Sequence, residues 1–309
     1  ELRRAGLEAV TAARQVADST GGQVHAVLAG GPGVGQFVAK LAAHGADVVL
    51  VLEHDGFANY NPEAIVATLA QRLGSGYRAA FFAASAQGHD LVARVAARLK
   101  VAYASDVTEF AFAGDSVTVK HPGYTNKIVQ TFVLKATPAL ISLRAGAVLP
   151  VENAKAGTVE AIASAIDPAS TRVKVTLTEK AAGGKVDLGE APVIISGGRG
   201  MGGPAPFKFL REIADVLGAA VGASRPPCDS GWVDSGMQVG LTGKTVAPEV
   251  YIAVGISGAT QHMTGCSASR VIVAINNDPE APIFRMATYG VVGDWNEVLP
   301  AFHAALADR

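Results

Sequence analysis

The sequence predicts an α/β protein of two domains: an N-terminal doubly wound α/β domain with an antiparallel addition, and a C-terminal domain on a Rossmann-like parallel sheet. Three observations carry this. The chain has 309 residues, which suits about two domains at roughly 100–200 residues each and leaves ample length for a core. Apolar residues make up 49% and charged residues only 17%. With few aromatics and much Ala, Val and Gly, that balance suits parallel strands covered on both faces. Short apolar runs also alternate with helical periodicity, early in the chain and again towards its end.

In order, Leu2–Asp18 reads as an amphipathic helix, and since α/β domains usually open on a strand, one is expected ahead of it. Gln23–Leu28 is a strand, Gly30–Gly35 a turn, Val34–His44 helical and Asp47–Leu52 a short buried strand. Pro62–Leu73 begins with proline at a favoured first-turn position and is a helix. Ala79–Ala84 is a strand, and Asp90–Leu99 a helix with Arg94, Arg98 and Lys100 towards its C-terminal end. From Val107 the runs "VTEFAF", "SVTVKH", "KIVQTFVL" and "PALISL" read as strands separated by Gly114-Asp115 and Pro122-Gly123 turns, which is the antiparallel addition. Asn153 to Glu190 is polar and irregular around one strand, Arg172–Leu177. "KAAGGKVDLGEAP" has linker composition, and the boundary is placed near Lys185–Ala191, giving domains 1–187 and 188–309. The second domain opens on "PVIISGGRGMGGPAPFKFLREIADVLGAAVGASRPP", a strand–glycine loop–helix–strand unit. It continues through "VYIAVGIS", "RVIVAIN" and "PIFRMATYGVVGDW" to a helix over Asn296–Ala307. No repeat of solenoid period is present.

Composition excludes several functions. A net charge of −1 gives no global basic field for nucleic acid. Cys228 and Cys266 are too far apart for a disulfide framework or a metal-ligand motif, and read as reduced thiols. The other histidines (His25, His44, His54, His89, His121, His303) share no ligand spacing, and no nucleophile–His arrangement is evident, so neither a metal site nor a catalytic residue is expected. No apolar run reaches the ~18 residues of a membrane span, and no targeting pattern is visible.

Gly198-Arg199-Gly200-Met201-Gly202-Gly203 fits G-x-G-x-x-G after a strand and before a helix. There glycines let backbone N–H groups approach a pyrophosphate at a helix N-terminus. With Arg225 after the next strand, where an acid would bind a ribose hydroxyl, this permits an NADP-dependent oxidoreductase. A lone fingerprint of this kind is a weak signal, and Pro204 and Pro206 are unusual beside it. A dinucleotide-sized ligand is the simpler inference. The loops after the remaining strands are also rich in Gly, Ser, Thr, Asn, His and Arg. In an open parallel sheet they converge on one crevice.

The stretch "VYIAVGISGATQHMTGCSASRVIVAIN", with "ISGGRGMGG", "AAVGASRPP", "GMQVGLTGKTVAPE" and "AINNDPEAPIFRMATYGVVGDW" in the same order, resembles the FAD domain of the electron-transfer flavoprotein alpha subunit. The likeness is strong from about Val193 to Leu299 and looser over the first domain, including "ASAQGHDLVARVAARL". The resemblance implies an extended FAD. Arg199 pairs with its pyrophosphate, and Ser224 and Arg225 lie beside the flavin ring, where the Arg stabilises negative charge on reduction. Gly240, Leu241 and Thr242 form the loop that approaches the flavin, with Leu241 standing where the family often has Gln. Ser257, Gly258, Ala259, Thr260, Gln261 and His262 aim backbone N–H groups and a hydroxyl at phosphate and ribitol, Thr260 replacing a usual aliphatic residue. His262 is expected at the pyrimidine edge of the ring as a donor. Asn276 belongs to the adenosine half, and Asp294 with the backbone of Trp295 to the adenine end.

The implied function is electron carriage without substrate chemistry of its own. Electrons would come from acyl-CoA or related flavin dehydrogenases and pass to a quinone oxidoreductase or another acceptor. The implied partner is a beta subunit carrying AMP, contacted by the N-terminal domain. The implied place is the bacterial cytoplasm, or the mitochondrial matrix in a eukaryote.

Overall fold

The computed structural model describes residues 2–178 and 186–307. Two compact units divide the chain, Glu1–Thr178 and Glu179–Arg309. Of the expected linker, residues 180–185 lie outside the described residues.

The first unit opens on α1 (Arg4–Thr20), which ends at Gly21 in the left-handed region, its N–H on the carbonyl of Ala17. There follow β1 (His25–Gly30), α2 (Val38–Ala43), β2 (Val48–Glu53), α3 (Pro62–Leu73), β3 (Ala79–Ala83) and α4 (Ala86–Leu99). Side-chain caps fix two helix starts: Asn61 accepts from the N–H of Ala64, and Ser85 from that of Gly88. Helix α4 therefore begins four residues before the expected Asp90. The expected helix over Val34–His44 is instead a tight turn over Val34–Phe37 followed by α2.

After α4 come β4 (Tyr103–Val107), β5 (Glu109–Ala113), β6 (Ser116–Gly123), β7 (Ile128–Leu134), β8 (Ala139–Leu143) and β9 (Thr158–Ala161). The parallel strands form two sheets, ordered β1-β2-β9 and β3-β8-β4. Only β5-β6-β7 is the antiparallel addition, with Phe110 opposite Val119 and Val119 opposite Phe132. "PALISL" was expected to belong to that addition. As β8 it lies instead between β3 and β4, parallel to both, and every residue of it is buried. Helix α1 serves two cores: Leu7 and Val10 pack with Val24 and Val49, while Ala12 packs with Ala104 and Ile141. Its buried charges are paired, Arg14 with Asp47 at 2.7 Å and Asp18 at 2.8 Å.

The strand expected over Arg172–Leu177 is absent. Its backbone is held by a side chain, the Glu63 carboxylate accepting from the N–H groups of Arg172 and Val173. Val173, Val175 and Leu177 stay exposed. Alternating apolar residues make a strand only where a neighbour offers a ladder. The ladder goes to β9 instead, a short and largely exposed segment paired with β2.

The second unit contains β10 (Val193–Gly197), α5 (Pro206–Leu217), β11 (Ala220–Ala223), α6 (Arg225–Asp229), β12 (Val250–Val254), α7 (Thr260–Cys266), β13 (Val271–Asn276), β14 (Tyr289–Val292) and α8 (Trp295–Ala307). Among its described residues the strands form one sheet, parallel throughout and ordered β11-β10-β12-β13-β14. One face is covered by Phe207, Leu210 and Ile213 of α5 with Leu299 of α8, the other by Met263 and Cys266 of α7 with Val239, Val246 and Ile283. The chain runs outward from β10 to β11 and then returns to β12 on the other side. The C-terminal ends of β10 and β12 are therefore the topological switch point, where open α/β sheets bind ligands. No described helix is long and apolar enough to cross a membrane.

Candidate functional site

At the switch point the chain ends of β10 and β12 are stitched together. The N–H of Gly198 donates to Val254 O at 2.8 Å and that of Gly200 to Gly255 O at 3.0 Å. The approach is so close that a Cβ on Gly198 would lie 2.1 Å from Gly255 O, and one on Gly200 2.9 Å from Gly255 Cα. This corrects the expected reading of the glycine loop. Gly198 and Gly200 are small because a neighbouring backbone touches them, and their N–H groups are spent inside the protein. The loop also does not sit on a helix N-terminus. A tight turn over Arg199–Met201 and then Gly202, at φ +78°, separate it from α5, which starts at Pro206. Those prolines mark that separation.

Around this seam lies a crevice of about 590 Å³, within the range of cofactor sites. Arg199 enters its lining from the glycine loop, and Ser224 and Arg225 from the end of β11. Ser224 is buried and occupies the first position before α6 without capping it. Arg225 is exposed and pairs with Asp229 one helical turn on, at 3.0 Å. Gly240, Leu241 and Thr242 form a second side. The Gln238 amide donates to Thr242 Oγ1 at 2.8 Å, so the threonine hydroxyl keeps its own proton to donate. Leu241 is 53% exposed at the rim. Gly240 has φ +145°, and a Cβ there would meet Gln261 O at 3.0 Å, so only glycine fits comfortably.

Ser257, Ala259, Gln261, His262 and Asn276 line the remaining side. The Asn276 amide donates to Ile256 O at 2.9 Å and thereby fixes the start of that loop. Gly258 and Thr260 are not in the lining. Gly258 turns the loop at φ +82° against the backbone of Ile283, and Thr260 begins α7 with its carbonyl taken by the Thr264 hydroxyl. Asp294 and Trp295 also stand outside the lining. The indole of Trp295 donates to Gly200 O at 3.1 Å, and Asp294 accepts from the N–H of Asn296 at the start of α8.

His262 differs most from its expected role. Its ring is buried, with Nδ1 2.9 Å from Val239 O and Nε2 3.0 Å from the hydroxyl of Tyr251. A carbonyl only accepts, so Nδ1 carries the proton and Nε2 accepts from Tyr251. Neither nitrogen is left to donate at the edge of a ring in the crevice. Burial lowers its pKa to about 4, which keeps the imidazole neutral at ordinary pH. Burial also raises the neighbouring Cys266 thiol to about 12 and pushes Tyr251 well above its usual value.

Sequence reasoning missed Gln238, Asp278, Ala281 and Pro282 in the lining. Asp278 makes a turn: its N–H bonds to Asn276 Oδ1, and its carboxylate accepts from the N–H of Glu280. The asparagine–aspartate run after β13 was the available signal, since loops after parallel strands share one edge.

The donor set fits a dinucleotide. Arg199 can face a pyrophosphate, Arg225 can place positive charge at the rim, and hydroxyls at Ser224, Thr242 and Ser257 can meet polar ring and ribitol atoms. Comparison with known proteins agrees. Residues 1–167 match the electron transfer flavoprotein domain, and residues 187–267 the electron transfer flavoprotein FAD-binding domain. The chain is 38% identical over 306 residues to the electron transfer flavoprotein subunit alpha of Thermoanaerobacterium thermosaccharolyticum, covering 97% of this chain and 92% of that one. It is 38% identical over 303 residues to the subunit of the same name from Bacillus subtilis, covering 97% and 92%. It is 39% identical over 303 residues to the probable electron transfer flavoprotein subunit alpha, mitochondrial, of Caenorhabditis elegans, covering 97% and 88%. These names speak of a flavin and give no support to the NADP reading. The chain belongs to the electron transfer flavoprotein alpha-subunit family, a family of electron carriers.

Proposed function

We propose that this member of the family holds one FAD in the crevice between the ends of β10 and β12 and works as the alpha subunit of a two-subunit electron carrier. The observation that carries the reading is the lining itself: Arg199 and Arg225 with three hydroxyl side chains around a glycine-rich seam at the sheet's switch point. FAD, when bound, supplies the electron carriage. The chain's own residues bind and orient it. Arg199 neutralises the pyrophosphate. Thr242, its oxygen already accepting from Gln238, presents its proton to the ring. Arg225, which pairs with Asp229 at 3.0 Å, would place positive charge beside the ring. His262 is kept neutral and shapes the wall.

In this reading the chain performs no substrate chemistry of its own. Electrons come from acyl-CoA or related flavin dehydrogenases and go to a quinone oxidoreductase or a similar acceptor. The partner beta subunit carries AMP and contacts the N-terminal domain, residues 1–187. The FAD domain, residues 188–309, turns on the polar linker to meet different partners. A cross-link that locked this domain without slowing transfer would remove the turning step from the account. The working place is the cytoplasm of a bacterium, or the mitochondrial matrix in a eukaryote.

The experiment is a visible absorption spectrum of the purified two-subunit protein during stepwise dithionite reduction. Flavin bands equivalent to one FAD in this chain, bleaching in two one-electron stages, are expected. A colourless protein, or one that retains a nicotinamide dinucleotide in place of flavin, would overturn the reading.

A further inference from the structure

We propose that Gln238 is a positioning residue for the cofactor: its side-chain amide spans the 240–243 turn to the Thr242 hydroxyl and fixes that hydroxyl as a donor into the crevice. The inference rests on the crevice being the FAD site, and its test separates a failure of that reading from a failure of its own.

The backbone of Gln238 is tied on both sides. Its N–H donates to Ser235 O at 3.1 Å, and its carbonyl accepts from the N–H of Lys244 at 2.8 Å. The next residue, Val239, donates to Ala223 O at 2.9 Å and joins the segment to the end of β11. Between Gln238 and Lys244 the chain makes a tight turn, in which the N–H of Gly243 donates to Gly240 O at 2.9 Å. The turn closes directly on Gln238. A Cβ on Gly243 would lie 2.3 Å from Gln238 O and 2.9 Å from Gln238 Cγ. From there the amide of Gln238 reaches Thr242 Oγ1 at 2.8 Å, and both residues line the crevice. Thr242 carries the only polar side chain of the Gly240-Leu241-Thr242-Gly243 turn.

A threonine hydroxyl has one proton and two lone pairs, whereas an amide N–H only donates. With the Gln238 amide on one lone pair, the Thr242 proton must point away from it. Among the described residues the hydroxyl has no second hydrogen-bond partner, so that proton is available to a ligand. This polarity suits atoms that only accept, such as the carbonyl oxygens and unprotonated ring nitrogens of an oxidised flavin. The opposite arrangement, with Gln238 accepting, would use the Thr242 proton inside the protein and offer the ligand lone pairs alone. Gln238 therefore acts through Thr242, by direction as well as by place.

The test is a double-mutant cycle on FAD binding to the full-length protein freed of cofactor, at neutral pH. Gln238→Glu keeps the shape and reach of the side chain, but a carboxylate only accepts, so the Thr242 proton turns towards it. Affinity for FAD should fall roughly tenfold, the worth of one good net hydrogen bond. In Thr242→Val, which has no proton to redirect, the same change should cost roughly twofold or less, the part due to added charge at a partly exposed site. Gln238→Met, which fills the space without a hydrogen bond, should cost less than Gln238→Glu. A role as a simple strut predicts the reverse order, because glutamate can still hold Thr242. A cofactor-free readout accompanies the cycle: ¹⁵N–¹H correlation NMR of the side-chain amides, with Gln238 assigned by its absence from the Gln238→Glu spectrum. Thr242→Val should shift that amide, and an unmoved amide would overturn the proposal even if the glutamate variant failed to fold. Equal costs of Gln238→Glu in the two backgrounds, or a larger cost for Gln238→Met, would overturn it with FAD bound and the cofactor reading intact. A protein that shows the amide shift but binds no FAD would refute the cofactor reading, and this proposal with it.

Discussion

Replacing Gly200 by alanine tests why the glycine loop is glycine. A Cβ there would lie 2.9 Å from both Cα and O of Gly255, and neither is the end of a flexible side chain. Forcing a methyl group into such a contact costs about 1–3 kcal/mol. The shift would also stretch the 3.0 Å bond from Gly200 N–H to Gly255 O, worth about 1 kcal/mol. The expected loss is therefore about 2–4 kcal/mol. At roughly 4 °C per kcal/mol for a unit of this size, the second unit should melt roughly 8–16 °C lower. Two neighbours serve as controls. Gly202 has φ +78° with open space around it, so Gly202→Ala carries only the backbone strain, about 1–2 kcal/mol. Gly203 has neither positive φ nor a close neighbour, and Gly203→Ala should stay within about 0.5 kcal/mol. The assay is thermal unfolding of the cofactor-free protein by circular dichroism, followed by titration with FAD. If Gly200→Ala were as stable as wild type and lost only FAD affinity, the glycine would serve the ligand and not the seam, and the packing argument would be wrong.

Two other perturbations follow from the same geometry. His262 titrates near 4 when folded and near 6.5 when unfolded, so between those values the unfolded chain binds more protons and stability rises with pH. Acidification from about pH 6.5 to 4 should cost about 3 kcal/mol in urea unfolding. His262→Asn, which keeps an N–H donor near Nδ1, should flatten that slope, and an unchanged slope would show that other groups cause it. Arg225→Ala removes the cation at the rim. The one-electron potential of bound flavin should fall by about 60 mV, a tenfold change in the equilibrium, when measured by spectroelectrochemical titration. A potential that does not move would place Arg225 away from the ring.

The amino-acid sequence by itself determined the parallel α/β build, most helices and the loops that form the crevice, because these depend on signals between near neighbours. The 3.6-residue period of α3 and the proline at its first turn are local features. The polar loops after each strand of the second unit converge through a general property of parallel sheets, and 11 of the 15 expected site residues line the crevice. What only tertiary structure decided depends on partners distant along the chain. Arg172–Leu177 has the pattern of a strand but finds Glu63 in place of a ladder, while the less apolar Thr158–Ala161 becomes a strand by pairing with β2. The glycines of the 198–203 loop look like a ligand cradle until Gly255 is seen against them. His262 has the position of a ligand donor in the sequence, but its protons are assigned by Val239 and Tyr251. A side chain's type is written locally. The group that takes its hydrogen bonds is set by the elements folded around it, and that choice decides whether it meets a ligand or holds the wall behind one.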